Sequence, residues 1–179
     1  MADLKLLEKE FKAYKSNLKK TSYDKQNKES LCLKEDEVIH FENYSIEYYH
    51  KNKMQDRKTV DALYYDINKW NLYLIEFKNE KPSSIKKDEV LKKFKDSVAL
   101  LKEILKKNNI SLKDITIYLY LVVKDKKESE TFKDRQRGEN IDLMIDSAIN
   151  TNELPKCHHK CRPKKYFLKN YKEIFNEEC

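Results

Sequence analysis

Residues 59–78 read TVDALYYDINKWNLYLIEFK, and no other segment constrains the fold as tightly. Two runs rich in Val, Tyr, Ile, Leu and Phe flank the turn-like Asn68-Lys69-Trp70-Asn71, the pattern of a β-hairpin. Both faces are apolar, with Leu63 and Tyr65 on one and Ala62 and Tyr64 on the other. Strands that are apolar on both sides belong in the middle of a sheet covered by helices. The rest of the chain must therefore supply those helices.

It has the material to do so. Leu4, Leu7, Phe11, Tyr14 and Leu18 recur at helical spacing and predict an amphipathic helix over residues 3–20. Residues 21–35 are polar and read as loop, and residues 36–50 fit a short helix or a strand. Pro82-Ser83-Ser84 reads as a helix start. Ile85, Val90, Phe94, Val98, Leu101 and Leu105 predict one long helix to about residue 108. Residues 115–123, ITIYLYLVV, form a second fully apolar strand. A charged loop or exposed helix at 126–138, a helix at 141–149, a basic loop at 155–165 and a terminal helix at 166–177 complete the chain. A single Gly and three Pro exclude collagen, Gly-rich linkers and most turn-dense all-β folds. The expected class is α/β, a mixed central β-sheet flanked by helices. At 179 residues the expectation is one domain.

Lys and Arg number 38 against 31 acids, a net charge of +7, which favours polyanionic partners through counter-ion release. Acids are interspersed throughout, so a solvated lysine-rich surface explains the same composition. No stretch approaches the roughly 20 apolar residues of a membrane span. Residues 1–20 alternate charge with Leu and do not read as a signal peptide. Four Cys in a chain of this size do not make a disulfide framework. The expected location is intracellular, with no membrane partner.

The hairpin carries charges that a buried sheet does not ordinarily hold: Asp61 in the first strand, Glu76 and Lys78 at the end of the second. With Lys69-Trp70 at the tip, Asp61 faces Lys78 and Leu63 faces Glu76. Side chains alternate faces along a strand, so Asp61, Glu76 and Lys78 share one face. Two neighbouring carboxylates resist joint ionisation unless a cation sits between them. Mg²⁺ takes one or two carboxylates and completes its shell with water and substrate phosphate. A nearby lysine can deprotonate or orient an attacking water, or neutralise a phosphoryl transition state.

Asp61 in a strand, the Glu76-Phe77-Lys78 tripeptide closing the next strand and the long helix after it resemble the PD-(D/E)xK nuclease superfamily, with its restriction-endonuclease-like fold. The resemblance covers residues 1–125 as a nuclease-like core, with 126–179 as a helical and basic extension. It implies that Asp61 and Glu76 bind Mg²⁺ or Mn²⁺, that the Phe77 carbonyl adds a ligand, and that Lys78 serves the nucleophile. Val60 stands where the motif has Pro. Many members add an acid from the first helix. Glu10 lies in the apolar arc of the predicted helix and is the candidate for that role, with Glu37, Glu42 and Glu47 as rivals. The implied activity is metal-dependent endonucleolytic hydrolysis of nucleic acid, DNA ahead of RNA, and by analogy a homodimer is an option. The alternatives are a non-catalytic nucleic-acid-binding or protein-interaction domain on the same scaffold, and a small structural or regulatory protein of a virus or mobile element.

Cys157-His158-His159-Lys160-Cys161 is a second cluster. Cys157, His159 and Cys161 are candidate Zn²⁺ ligands, which Cys179, Cys32, His40 or His50 could complete only through the fold. Lys160, Arg162, Lys164 and Lys165, followed by Tyr166 and Phe167, are candidates for tracking a phosphate backbone. The other reading of both is a solvated surface segment. Lys133, Arg135 and Arg137 form another basic group beside Gly138, a flexible point in this reading. Lys86, Lys87, Lys92 and Lys93 are expected on the outer face of the long helix. Trp70 is either a turn anchor or a contact residue.

Overall fold

The computed structural model describes residues 5–80, 84–124, 132–155 and 157–163. A six-stranded mixed sheet runs in the order β1 (Lys15–Asn17), β4 (Glu37–His40), β5 (Ala62–Asp66), β6 (Asn71–Lys78), β7 (Thr116–Val123) and β8 (His158–Pro163). The first four strands pair antiparallel, and β6, β7 and β8 are parallel. Helices α4 (Lys87–Lys107) and α5 (Phe132–Asn150) lie in the two connections between parallel strands. Such connections need the length that a helix crossover provides. Around the first strands lie α1 (Lys5–Phe11), α2 (Leu18–Thr21), a small hairpin of β2 (Tyr23–Asp24) and β3 (Glu29–Ser30), and α3 (Phe41–Lys51). The α/β class with a mixed central sheet flanked by helices is as expected.

The sheet has a helical face and a thinner one. Leu63, Leu72, Leu74, Ile117, Leu119 and Leu121 pack under α1, α3, α4 and α5 in the larger core. Ala62, Tyr73, Ile75, Tyr120 and Val122 turn the other way, onto Leu18, Leu31 and Cys32. On this second face Tyr73 stacks on Tyr118 at 4.7 Å, and Tyr118 on His158 at 5.1 Å.

Several expectations are corrected. The helix over 3–20 breaks after Phe11. A short 3-10 turn leads into β1, and the Asn17 side chain accepts from Lys20 N to start α2. Residues 36–50 are strand and then helix. Helix α5 continues through Gly138 and takes in Lys133, Arg135 and Arg137. The basic loop at 155–165 contains β8, whose pairing with β7 fixes a polar sequence in extended form. The terminal helix at 166–177 lies outside the described residues.

The hairpin forms in a register two residues from the expected one. Asp66 Oδ1 accepts from the N–H groups of Asn68 and Lys69, at 3.0 and 3.1 Å, so residues 67–70 form the loop and Asp66 faces Asn71. Trp70 adopts a left-handed φ of 56°. Its ring packs against the core and its carbonyl accepts from Thr116 N at 3.0 Å, which makes it a turn anchor.

Candidate active site

The two-residue shift leaves side-chain parity intact. Extending the observed register one step past Ala62↔Ile75 sets Asp61 against Glu76, and both belong to the helical face. The chain at Asp61 is held from three sides. Phe41 N donates to the Asp61 carbonyl at 3.0 Å. Val60 N donates to Ser97 Oγ of α4 at 2.9 Å. Thr59 Oγ1 donates to Ser45 Oγ of α3 at 2.8 Å. Proline at position 60 has no N–H and could not make the Ser97 bond, which gives Val60 a local physical reason.

Asp61 Oδ2 accepts from Phe77 N at 2.7 Å, an aspartate side chain taking the place of a strand partner. Glu76 is 1% exposed. Lys78 Nζ lies 3.3 Å from Glu76 Oε1. The cation shared by both acids is a residue expected on the outer face of the helix. Lys93 of α4 is 8% exposed and donates to Glu76 Oε1 and Oε2 at 2.8 and 2.9 Å, with Asp61 Oδ1 at 3.8 Å. Lys86 and Lys92 are exposed and Lys87 half-buried, as outer-face residues should be. Lys93 stands three residues after Val90 and four before Ser97, on the stripe facing the sheet.

Burial raises the Asp61 carboxyl well above its ordinary value, the Glu76 charge adds to this, and Lys93 and the Phe77 N–H oppose it. Burial likewise raises Glu76 against the pull of Lys93 and Lys78. Burial pushes Lys93 down, but Glu76 and Asp61 outweigh it and the ammonium is held charged. The half-buried Glu42, in the first turn of α3, acts on both Asp61 and Lys93 through its charge. A cavity of about 350 Å³ opens beside the cluster, lined by Asp61, Phe77, Lys78 and the β2–β3 hairpin.

Glu10 is not part of this group. It accepts from Tyr44 Oη at 2.7 Å and from Lys107 Nζ at 3.1 Å, at the far end of α4. That is about 21 Å along the helix axis from Lys93. The helix expected to carry Glu10 to the site stops at Phe11, and α3 stands next to Asp61 instead. Of the rivals, Glu42 is the one near the cluster, while Glu37 pairs with Lys15 and Glu47 accepts from Tyr14.

The comparisons with known proteins are silent. No family model, curated protein or solved structure matches the chain.

At the other end of the sheet, Cys157 is half-buried, and burial together with Asp146 pushes its thiol up to about 11. His159 Nε2 lies 3.9 Å from Asp142 and 3.8 Å from Asp146 of α5. Cys161 occupies the β8 position facing Leu121. Among the described residues no group of three or more Cys, His, Asp or Glu side chains is arranged to hold a metal ion. Lys160 and Arg162 occupy β8 at the sheet edge, while Lys156, Lys164 and Lys165 lie outside the described residues. Among the described residues no helix is long and apolar enough to cross a membrane.

Proposed function

We propose that the protein is a metal-dependent nuclease hydrolysing phosphodiester bonds, with DNA the first substrate to test. The observation that carries this is the Asp61–Glu76 pair at the end of the hairpin, Glu76 buried and Asp61 half-buried, with Lys78 beside it and a cleft opening alongside. Burial raises both carboxyls, and a dication between them would favour their ionised forms. Two carboxylates fit Mg²⁺ or Mn²⁺, with water and a substrate phosphate completing the shell. Asp61 and Glu76 would hold the ion, and the Phe77 carbonyl is the candidate third ligand. The ion would polarise the phosphate and lower the pKa of a bound water. Lys78, closest to Glu76 Oε1, would orient that water or offset charge on the phosphoryl oxygens. Glu42 replaces Glu10 as the upstream acid. Four cysteines in a chain of this size, too few for a disulfide framework, suit a reducing, intracellular setting.

Cleavage of single- and double-stranded DNA and RNA with Mg²⁺, Mn²⁺ or EDTA tests this reading. Expected is EDTA-sensitive cleavage that Asp61→Asn and Glu76→Gln abolish. Equal cleavage by both variants overturns it. One observation favours the alternative of a non-catalytic nucleic-acid-binding or interaction domain: an ammonium already lies between the acids. That reading expects nucleic-acid or protein binding without turnover.

A further inference from the structure

We infer that Lys93 is an exchangeable counter-ion, its ammonium holding the place between Asp61 and Glu76 that a divalent cation takes on loading. This rests on the reading of these two carboxylates as metal ligands.

The oxygens that Lys93 Nζ approaches are those a shared cation would use. They are both oxygens of Glu76, at 2.8 and 2.9 Å, and Asp61 Oδ1, at 3.8 Å. The remaining oxygen, Asp61 Oδ2, is taken by Phe77 N at 2.7 Å. An ion between the two acids therefore competes with the ammonium for the same electron pairs and the same space.

The surroundings fix the Lys93 backbone and leave the charge movable. The Lys93 carbonyl accepts from Ser97 Oγ, which in turn accepts from Val60 N, so α4 is anchored to the segment that bears Asp61 and leads into β5. The side chain beyond is a flexible four-carbon stem ending in a point charge. Glu42 is near enough for its charge to act on Lys93, and offers the displaced ammonium a partner. Lys78 is not equivalent, because it touches Glu76 at one oxygen, at 3.3 Å. Among the neighbouring buried positions of α4, Val90, Phe94, Ser97 and Val98, Lys93 alone is charged. Burying an ammonium there costs more than an apolar side chain of similar size. Stability alone does not account for it.

The test is Mn²⁺ binding by calorimetry at one fixed pH, on the full chain, in wild type, Lys93→Met, Lys93→Arg and Lys78→Met. Removing a unit charge a few ångströms from the ion should tighten Mn²⁺ binding at least about tenfold in Lys93→Met. The gain in Lys78→Met should be smaller. Lys93→Arg should bind more weakly than wild type, because a guanidinium fork holds a carboxylate at two points and is harder to displace. Mn²⁺ binding by Lys93→Met with none by wild type also supports the exchange. If Lys93→Met does not fold without metal, Lys93→Arg decides: affinity equal to or above wild type overturns the inference. Equal affinity in wild type and a folded Lys93→Met overturns it too, while leaving the metal site standing. Absence of binding in every variant overturns both.

Discussion

Helix α4 carries a lysine–carboxylate contact near each end, and the two differ in what they do to the fold. Near its C-terminus, Lys107 donates to both oxygens of Glu10, at 3.1 Å each, and Tyr44 adds a third donor. Burial would raise the Glu10 carboxyl, but Tyr44 and Lys107 overcome it and hold the acid below its ordinary value. Near the N-terminus, Lys93 faces two acids at once, and both stay above their ordinary values despite it. The first contact ties α1 and α3 to α4 at modest gain. The second packs two carboxyls, Glu76 buried and Asp61 half-buried, against one ammonium, an arrangement that a chain selected only for stability replaces with apolar side chains. The contrast is the physical basis for reading one end as structural and the other as functional.

The strongest way to break the comparison is to remove each lysine. Lys93→Met leaves buried acids short of a counter-charge and should cost about 3–5 kcal/mol. Lys107→Met, at an exposed ammonium, should cost under about 1 kcal/mol. Urea denaturation near neutral pH measures both, and equal losses would erase the distinction. Next in size is the response to metal. With Mn²⁺ at about one hundred times its Kd, wild type should gain about 2.7 kcal/mol. Asp61→Asn should lose that gain and melt higher than wild type in EDTA. The same Mn²⁺ shift in both proteins would place the ion elsewhere.

A smaller effect tests the scaffold. Ser97→Ala leaves the buried Val60 N–H without its acceptor and should cost about 1–3 kcal/mol. Val60→Pro in the Ser97→Ala background should then cost less than in wild type, since the N–H it removes is already unpaired. Additive losses would mean that Ser97 is not what keeps proline out.

The smallest effect is the sign of the pH dependence. Asp61 is raised in the fold, so its contribution is full below its ordinary value of 3.8 and is lost as pH rises through the raised one. Glu10 is lowered, so its contribution is present above its ordinary value of 4.5 and is lost as pH falls through the lowered one. Urea midpoints taken between about pH 3 and pH 8 should therefore change in opposite directions. Asp61→Asn should flatten the neutral limb and Glu10→Gln the acid limb. Slopes of the same sign at both sites would contradict the comparison.

Much of this arrangement is legible in the residues. The central hairpin, α4 and β7 follow from long apolar patterns, and the shared face of Asp61 and Glu76 follows from alternation. The exact register does not, because Asp66 folds its own side chain into the turn and widens the loop. A shift of two preserves faces, so the site geometry tolerates that error where a shift of one would not. The break after Phe11 is hidden because Tyr14 and Leu18 continue the helical spacing across it. Strand β8 is hidden because its sequence is polar and its extended form comes from pairing with β7. Lys93 is legible only by position: its place on the buried stripe of α4 is the signal, and its charge points the other way. Glu42 was visible as one acid among several, and the proximity that singles it out is tertiary.

The order in which these pieces can meet has a kinetic consequence. Pairing of β5 with β6 closes a short local loop, whereas pairing of Asn71 with Thr116 in β7 requires the whole of α4 to be spanned first. Contacts of short sequence separation form sooner. Asp61 and Glu76 are therefore brought together while still wet, and their repulsion is relieved when α4 docks and delivers Lys93. Refolding of the metal-free chain should accordingly speed up as added salt screens the two acids, more in wild type than in Asp61→Asn. A stopped-flow folding limb with the same salt response in both proteins would show that the two charges meet only after their neutralising helix is in place.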